Sequence, residues 1–349
     1  MKLKLFKTDS ELLGIDIGTT GIRLVQVKHG GAEARLVTYG TVPLESSVLQ
    51  SDAEIDKQAV VAAIRKLVAD SKATAKNAVV GLPTSKVFAS LVALPKMSPT
   101  ELAKSIQYQA EQHVPMALDQ VKLDWMVVGE SSDGKQQEVM LVAAPNSLAE
   151  RYLAIMEASG LDVVAIEPDA IALCRALTNP SDQAVVVLDV GSNSTDLVMV
   201  QQGNPKLIRS IPVGGETFVK ATAQNLNLEP DQAFQFVYKF GLAQSKMEGQ
   251  VQKALKASVD NLVSELDKSI QFFLNRYKDN RVVKVVLTGK ASVVPDLPLY
   301  IANGVNLPVE IGNSWIKIMT PADLQTQLME LSNQFAVACG LALREGGHE

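Results

Sequence analysis

The 349-residue chain is poor in the residues that build disulfides, metal centres and histidine-dependent active sites. It has two cysteines, Cys174 and Cys339, and three histidines. Both cysteines lie in apolar runs far apart, so we interpret them as buried small hydrophobic residues. The histidines are too scattered along the chain for a metal cluster or a catalytic triad.

The chain also lacks a long apolar run and a basic, aromatic-rich stretch. No run of about 18 apolar residues and no signal peptide occurs, so we expect a cytoplasmic protein that does not cross the membrane. The net charge of −5 argues against a nucleic-acid binder. A content of 47% hydrophobic and 20% charged residues is typical of a globular α/β protein.

What the sequence does contain is an internal repeat. Residues 13–27 and 186–200 each consist of an apolar strand, an Asp-x-Gly turn with hydroxyl residues, and a second apolar strand. Asp16 aligns with Asp189 and Gly18 with Gly191 without a gap. The duplication predicts two similar domains that face each other across a cleft, each contributing one loop.

The two turns have the composition of phosphate-binding loops. Glycine lets the backbone approach a ligand closely, and consecutive backbone N–H groups in such turns bind anions. The predicted phosphate ligands are Gly18, Thr19, Thr20, Gly191, Ser192 and Asn193. Carboxylates repel phosphate, so we expect Asp16 and Asp189 to hold magnesium, which keeps several waters and takes few protein carboxylates. The alternative is that each turn only connects two buried strands.

The remaining pattern predicts alternating strands and helices. Ser98, Pro99 and Glu101 form a helix-start signal, and that helix should end near His113, before Pro115. Gly214 and Gly215 precede further helices. An apolar strand near 282–287 runs into Gly289 and Lys290, and a final helix begins near residue 321.

The order of these features resembles the actin-like ATPase superfamily, which includes sugar kinases and the cell-division protein FtsA. In detail the chain resembles the PilM family of type IV pilus assembly proteins. The residues that carry this resemblance are 13–20, Gln109–Pro115 with Asp124, Ile166–Pro168 and Gly340–Arg344.

The resemblance implies an α/β fold: a two-lobed actin-like ATPase fold with duplicated RNase H-like domains and an FtsA-like inserted subdomain. The first lobe would comprise 1–84, 161–184 and a C-terminal helix at 321–349, with the inserted subdomain at 85–160. The second lobe would be 185–320, with a helical subdomain at about 216–280. ATP or ADP with Mg²⁺ would bind, with further contacts from Gly214, Gly215, Gly289 and Lys290.

The resemblance also implies a function as a cytoplasmic scaffold. The protein would bind the N-terminal cytoplasmic peptide of a PilN-like inner-membrane protein, and would reach the inner face of the membrane only through that partner. The complex belongs to the platform that supports pilus extension. The predicted walls of the peptide groove are Gln109, Glu111, Val114 and Pro115. A helix end packed on the core is the alternative for any one of them.

The chain departs from the family pattern around the predicted adenosine. Lys290 replaces the second glycine of a Gly-Gly pair, and would have to swing aside or lie over the base as a cation–π contact. Phe234 and Val237 stand where related proteins carry a glutamate and a lysine that contact ribose and base. Losing two polar contacts would cost a few kcal/mol, or about a hundredfold in affinity. We expect nucleotide binding that is weaker or has a relaxed base preference, with weak or absent hydrolysis.

Two other functions stay open at this point. A small-molecule kinase of the sugar-kinase type would need a further carboxylate as a base, and no motif presents one. An FtsA-like filament protein would usually end in an amphipathic membrane helix, whereas residues 344–349 contain no such segment.

Overall fold

The computed structural model describes residues 11–30, 33–45, 48, 54–131 and 134–345. The chain forms two compact units, Met1–Leu177 with Asn313–Glu349, and Thr178–Gly312. The predicted lobe boundaries at residues 184 and 321 differ from these by seven and eight residues, and the predicted division into two lobes and an inserted subdomain stays a prediction. Residues 346–349, part of the tail used to argue against a membrane helix, lie outside the described residues.

The first unit is built on a six-stranded mixed sheet with the order β14-β3-β2-β1-β4-β8. Its strands are β1 (Glu11–Gly18), β2 (Gly21–Gly30), β3 (Glu33–Pro43), β4 (Asn77–Leu82), β8 (Asp162–Pro168) and β14 (Ile318–Met319). β1, β2 and β3 form an antiparallel meander, and β4 and β8 extend it in parallel. Side chains alternate between the two faces of each strand, so both faces need a covering layer.

Helices cover both faces of this sheet. They are α1 (Glu54–Asp70), α3 (Asn146–Ala158), α4 (Asp169–Leu177) and α9 (Gln325–Ala342). Apolar residues of α1 and α3 pack on one face with Leu13, Ile15 and Leu24. α4 and α9 contribute to a second cluster with Val25 and Val27. The predicted final helix is confirmed, although it begins at Gln325, after a short 3₁₀ turn.

Helix α9 lies unusually close to its neighbours. A Cβ on Gly340 would be 1.9 Å from the carbonyl oxygen of Ala172 in α4, and one on Gly14 of β1 would be 2.1 Å from that of Ala338. Only glycine permits both approaches, because real side chains do not fit in such gaps. The small, apolar composition of residues 335–343 therefore reflects close helix packing.

A separate three-stranded antiparallel sheet with the order β5-β7-β6 belongs to the same unit. Its strands are β5 (Phe88–Pro95), β6 (Val121–Glu130) and β7 (Gln136–Pro145), and helix α2 (Pro99–His113) packs on it through Leu102 and Ile106. The Ser98 hydroxyl and the Glu101 carboxylate form the reciprocal capping box at the start of α2. The predicted start and end of this helix are confirmed.

The second unit contains a five-stranded sheet with the order β11-β10-β9-β12-β13. Its strands are β9 (Ala184–Val190), β10 (Thr195–Gln201), β11 (Asn204–Ile211), β12 (Val282–Thr288) and β13 (Val309–Ile311). The repeat seen in the sequence is confirmed at this level, because both sheets open with a three-stranded antiparallel meander. In both, a parallel strand then pairs with the first strand of the meander.

Helices complete the second unit. They are α5 (Gly215–Leu226), α6 (Pro230–Phe240), α7 (Gln250–Arg276) and α8 (Leu297–Val305). Their apolar sides form one continuous core with β9, β10 and β12, centred on Phe218, Leu255 and Phe273. Within the described residues, no helix is long and apolar enough to cross a membrane.

Candidate nucleotide-binding loops

The first loop is a tight hairpin turn. β1 ends at Gly18 and β2 begins at Gly21, so Thr19 and Thr20 form the two-residue connection. All three predicted loop residues are half-buried at the end of the sheet. The register of the hairpin places Asp16 opposite Arg23.

Arg23 lies on β2, next to this loop, and is not part of the Asp-x-Gly motif. Its Nη1 donates to Asp16 Oδ2 at 3.0 Å, and a Cβ on Gly18 would lie 2.9 Å from the same nitrogen. Its Nε is buried and has no hydrogen-bond partner among the described residues. A guanidinium with a spare donor suits an anion such as phosphate. A two-residue turn at Thr19 and Thr20 fixes which residues of the two strands lie opposite each other, so the sequence could have identified Arg23 as the partner of Asp16.

Asp16 is buried beside this guanidinium. Burial raises the pKa of the Asp16 carboxyl above its ordinary value, and the charge of Arg23 and its hydrogen bond act in the opposite direction. A nearby cation would favour the ionised carboxylate in the same way that Arg23 does. The predicted role of Asp16 in holding magnesium stays a prediction.

The second loop connects β9 to β10 through residues 191–194. The Gly191 N–H donates to the carbonyl oxygen of Ser194 at 3.0 Å, which closes the turn. The buried Thr195 hydroxyl donates to the carbonyl oxygen of Val213 at 2.7 Å and fixes the loop to the following segment. Ser192 is half-buried and Asn193 is exposed, so both are accessible to a ligand.

The two hairpins differ at corresponding positions. Asp189 lies opposite Asp196 in the second hairpin, where the first has Asp16 opposite Arg23. Asp196 accepts a hydrogen bond from the Ser210 hydroxyl at 2.8 Å. The second loop therefore carries two acidic residues on adjacent strands, which suits a cation, while the first carries a carboxylate and a cation together. The pairing of the two strands identifies Asp196, as it does Arg23, whereas the Asp-x-Gly motif contains neither residue.

Gly214 and Gly215 hold the second loop against helix α5. Gly215 N–H donates to the carbonyl oxygen of Gly191 at 3.0 Å, and Glu216 N–H donates to that of Ser192 at 2.8 Å. A Cβ on Gly214 would lie 2.5 Å from the Ser192 carbonyl oxygen. These glycines position the loop through the backbone, and their direct contact with a nucleotide stays a prediction.

Gly289 lies directly against Asp189. Its φ is +91°, and a Cβ there would be 2.2 Å from Asp189 Oδ1 and 2.4 Å from the carbonyl oxygen of Val190. No side chain fits this position, which explains why a glycine follows β12. Lys290 comes next, half-buried at the start of a 3₁₀ turn. Its predicted place over a base stays a prediction.

Phe234 and Val237, the two residues of helix α6 that depart from the family pattern, differ in their exposure. Val237 is completely buried in the core of the second unit, so this position contributes packing and could not present a polar head to a ligand. Phe234 is exposed and its ring lies 4.5 Å, centroid to centroid, from that of Tyr238. The expected polar pair is thus replaced by one core residue and one exposed aromatic residue.

The predicted peptide-binding segment follows the end of α2. Val114 is buried in an apolar cluster with Ala110, Val121 and Ala143, so its side chain has the alternative, structural role. Gln109 is half-buried, whereas Glu111 and Pro115 are exposed. Their contact with a partner stays a prediction.

Two further motifs that carried the family resemblance meet in one ion-pair network. Glu167, at the end of β8, is buried and accepts from Arg175 at 2.5 and 2.9 Å and from Arg344. Arg175 Nη1 also donates to the carbonyl oxygen of Gly340 at 2.6 Å. The motif at 166–168 and the motif at 340–344 therefore form one structural unit that ties the end of α9 to the sheet.

The described residues contain no group of three or more His, Cys, Asp or Glu side chains placed to hold a metal ion. Magnesium takes few protein carboxylates directly, so a hydrated ion does not require such a group. Cys174 and Cys339 are both buried, and neither forms a disulfide within the described residues, which confirms their interpretation as core residues.

Known structures define the class of this fold. The chain is similar to the ethanolamine utilization protein EutJ from Carboxydothermus hydrogenoformans, with a TM-score of 0.58 and 13% identity over 98% of this chain and 93% of that chain. It is also similar to MreB5 of Spiroplasma citri bound to ADP, with a TM-score of 0.52 and 11% identity over 96% and 95% of the two chains. The chain has the actin-like ATPase fold, and the predicted fold class is confirmed.

The family follows from a match over nearly the whole chain. Residues 14–346 match the family described as type IV pilus assembly protein PilM, and the chain belongs to that family. A solved structure of a PilM-PilN type IV pilus biogenesis complex is similar at a TM-score of 0.82 and 25% identity, covering 97% of this chain and 100% of that chain.

A curated relative from cell division is also similar. FtsA of Neisseria meningitidis serogroup B is 20% identical over 245 residues, covering 67% of this chain and 56% of that protein. The chain thus spans little more than half the length of the FtsA proteins that it matches. The chain is an actin-like protein of type IV pilus assembly.

Proposed function

We propose that this chain is an ATP-binding scaffold of the type IV pilus inner-membrane platform, which binds the N-terminal cytoplasmic peptide of a PilN-like protein. The observation that carries the proposal is the similarity to the PilM-PilN complex over 97% of the chain. On this proposal the protein is cytoplasmic and is recruited to the membrane through its partner. The exposed side chains of Glu111 and Pro115, with Gln109, contribute to the peptide site.

The nucleotide part of the proposal depends on the two loops. Backbone N–H groups and hydroxyls at Gly18–Thr20 and at Gly191–Asn193 bind the phosphates of ATP or ADP. Asp16 and Asp189 hold a hydrated Mg²⁺ ion, which would neutralise phosphate charge. Arg23 supplies a cation next to the first loop, where its Nη1 lies 3.0 Å from Asp16. Nucleotide binding then changes the affinity for the peptide, because a ligand that prefers one conformation shifts the population toward it.

Calorimetric titration tests the two parts separately. Mg-ATP and the PilN N-terminal peptide are titrated alone and then together. We expect binding of both, and a peptide affinity that changes when Mg-ATP is present. Asp16→Ala and Asp189→Ala should remove that change while leaving the nucleotide-free peptide affinity unaltered. Asp70→Ala is the matched control, because Asp70 is exposed and forms an ion pair with Lys66 of the same helix.

Each outcome has a definite meaning. Peptide binding without any ATP signal would leave a scaffold that does not use nucleotide. Absence of peptide binding would remove the pilus-platform role. Hydrolysis is proposed to be slow or absent, and a robust steady-state ATPase rate from the pure protein would contradict that part.

A further inference from the structure

Phe234 is an exposed aromatic side chain on a helix whose other aromatic residues are packed. Phe236, Tyr238 and Phe240 of α6 all lie against the core of the second unit. Phe234 is 43% exposed, although Ala233 beside it is completely buried. An exposed aromatic ring with a fixed packing partner on one face leaves its other face for a ligand.

Tyr238 connects this ring to the second phosphate loop. The two rings lie 4.5 Å apart with an interplanar angle of 36°. A Cβ on Gly215 would be 2.9 Å from the Tyr238 hydroxyl oxygen, and the Gly215 N–H donates to the Gly191 carbonyl. Burial, and then the charge of Glu216, raise the pKa of Tyr238 above its ordinary value, so its hydroxyl is neutral at physiological pH. The aromatic pair therefore starts at the edge of the loop and extends away from it.

The segment that follows β12 also lies next to Gly215, at the start of α5. The position of a Cβ on Gly215 is 3.4 Å from Cβ of Ala291, the residue that follows Lys290. The second loop, the start of α5, the Lys290 turn and Tyr238 thus converge within one unit. A ligand whose anionic end binds at Gly191–Asn193 would extend its other end past this convergence.

We propose that Phe234, supported by Tyr238, is the stacking surface for the base of the nucleotide. The inference rests on the proposed function, because it takes the phosphates to lie at the second loop. Stacking on an aromatic face tolerates any base, since every base has a π-face and no base edge is read. The structure then assigns relaxed base preference: the protein binds ATP and GTP with affinities within about threefold of each other.

Titration of three ligands into the wild-type protein and three variants tests this. The ligands are Mg-ATP, Mg-GTP and magnesium with inorganic triphosphate, which has the phosphates but no base. Phe234→Ala should weaken binding of both nucleotides about tenfold and leave the triphosphate affinity unchanged. Phe234→Trp, which keeps an aromatic face, should retain nucleotide affinity. Phe272→Ala is the matched control, because Phe272 is 56% exposed on α7 and should change nothing.

The outcomes separate this inference from the proposed function. If the wild-type protein binds Mg-ATP but Phe234→Ala binds it equally well, the stacking surface is wrong and the ATP-binding scaffold stands. An equal loss for nucleotides and triphosphate would also overturn the inference, since it would show damage to the phosphate loop. ATP preferred over GTP by a hundredfold would overturn the base tolerance. If the wild-type protein binds no nucleotide at all, the stacking surface falls together with the nucleotide part of the proposed function, while the peptide-binding part is decided by the peptide titration.

Discussion

Glu167 should be among the most sensitive positions of the first unit. Its carboxylate is 4% exposed and holds Arg175 and Arg344, whose side chains are 25% and 30% exposed. Glu167→Gln keeps the shape, removes the charge and places an N–H₂ group where an oxygen accepted from a guanidinium. Removing one partner of a fully buried pair costs about 3–5 kcal/mol. Both arginines can regain water here, so we expect a loss of about 2–3 kcal/mol in the free energy of unfolding.

Tryptophan fluorescence during urea unfolding measures this loss in the right part of the molecule. The chain has two tryptophans, Trp125 and Trp315, and both belong to the first unit. Trp315 is buried against Phe335 of α9, the helix whose end is held by the Arg344–Glu167 ion pair. For a unit of this size, the expected loss corresponds to a fall of roughly 5–10 °C in Tm.

A matched control and a double-mutant cycle complete the design. Asp70→Asn removes an exposed pair in which both side chains are more than 60% exposed, and should cost at most about 0.5 kcal/mol. Combining Glu167→Gln with Arg344→Ala should show a coupling of at least about 1 kcal/mol. A loss below about 1 kcal/mol for Glu167→Gln, or no coupling, would refute the role given to this network.

Three further changes test the packing and the loops. Gly340→Ala should destabilise the first unit by about 1–3 kcal/mol, because the added methyl group meets the α4 backbone. The control Gly30→Ala should cost under about 1 kcal/mol, because there is open space around Gly30. Similar urea midpoints for the two variants would contradict this. Gly289→Ala should abolish Mg-ATP binding in calorimetry, because a methyl group there displaces the carboxylate of the second loop, and retained affinity would show that this carboxylate is not needed. Burial raises the pKa of Cys174 to about 12 and that of Cys339 well above its ordinary value. Neither thiol should therefore react with a thiol reagent at pH 8 until urea unfolds the protein. Labelling of the native protein would contradict their burial.

Much of the fold could be predicted where local chemistry and tertiary structure agree. The helix at 99–113 was placed correctly at both ends, since Ser98 and Glu101 form the cap that their spacing indicates. Strands β11, β13 and β14 were missed. β11 contains Pro205, Lys206 and Arg209, and β14 has two residues, so their pairing depends on neighbouring strands and not on a local apolar pattern.

The candidate site was predictable in its loops but not in the residues opposite them. The Asp-x-Gly motif identifies Asp16 and Asp189 by itself. Arg23 and Asp196 belong to the site only through strand register, which the motif does not show. Val114 illustrates the opposite case, because a residue in a segment typical of the family proved to be a core residue. The sequence alone could not decide between a peptide-contacting and a core role for Val114, because its burial depends on what the segment packs against.

The position of α9 has a consequence for synthesis on the ribosome. Helix α9 covers one face of strands β1 and β2, yet its residues are made only after the whole continuous unit Thr178–Gly312 has been synthesised. At roughly 5–20 residues per second, about 15 seconds or longer pass between the synthesis of β2 and that of α9, and the helix cannot cover this face of the two strands before then. The unit in the middle of the chain can finish folding first, and the first unit, begun earliest, is completed last.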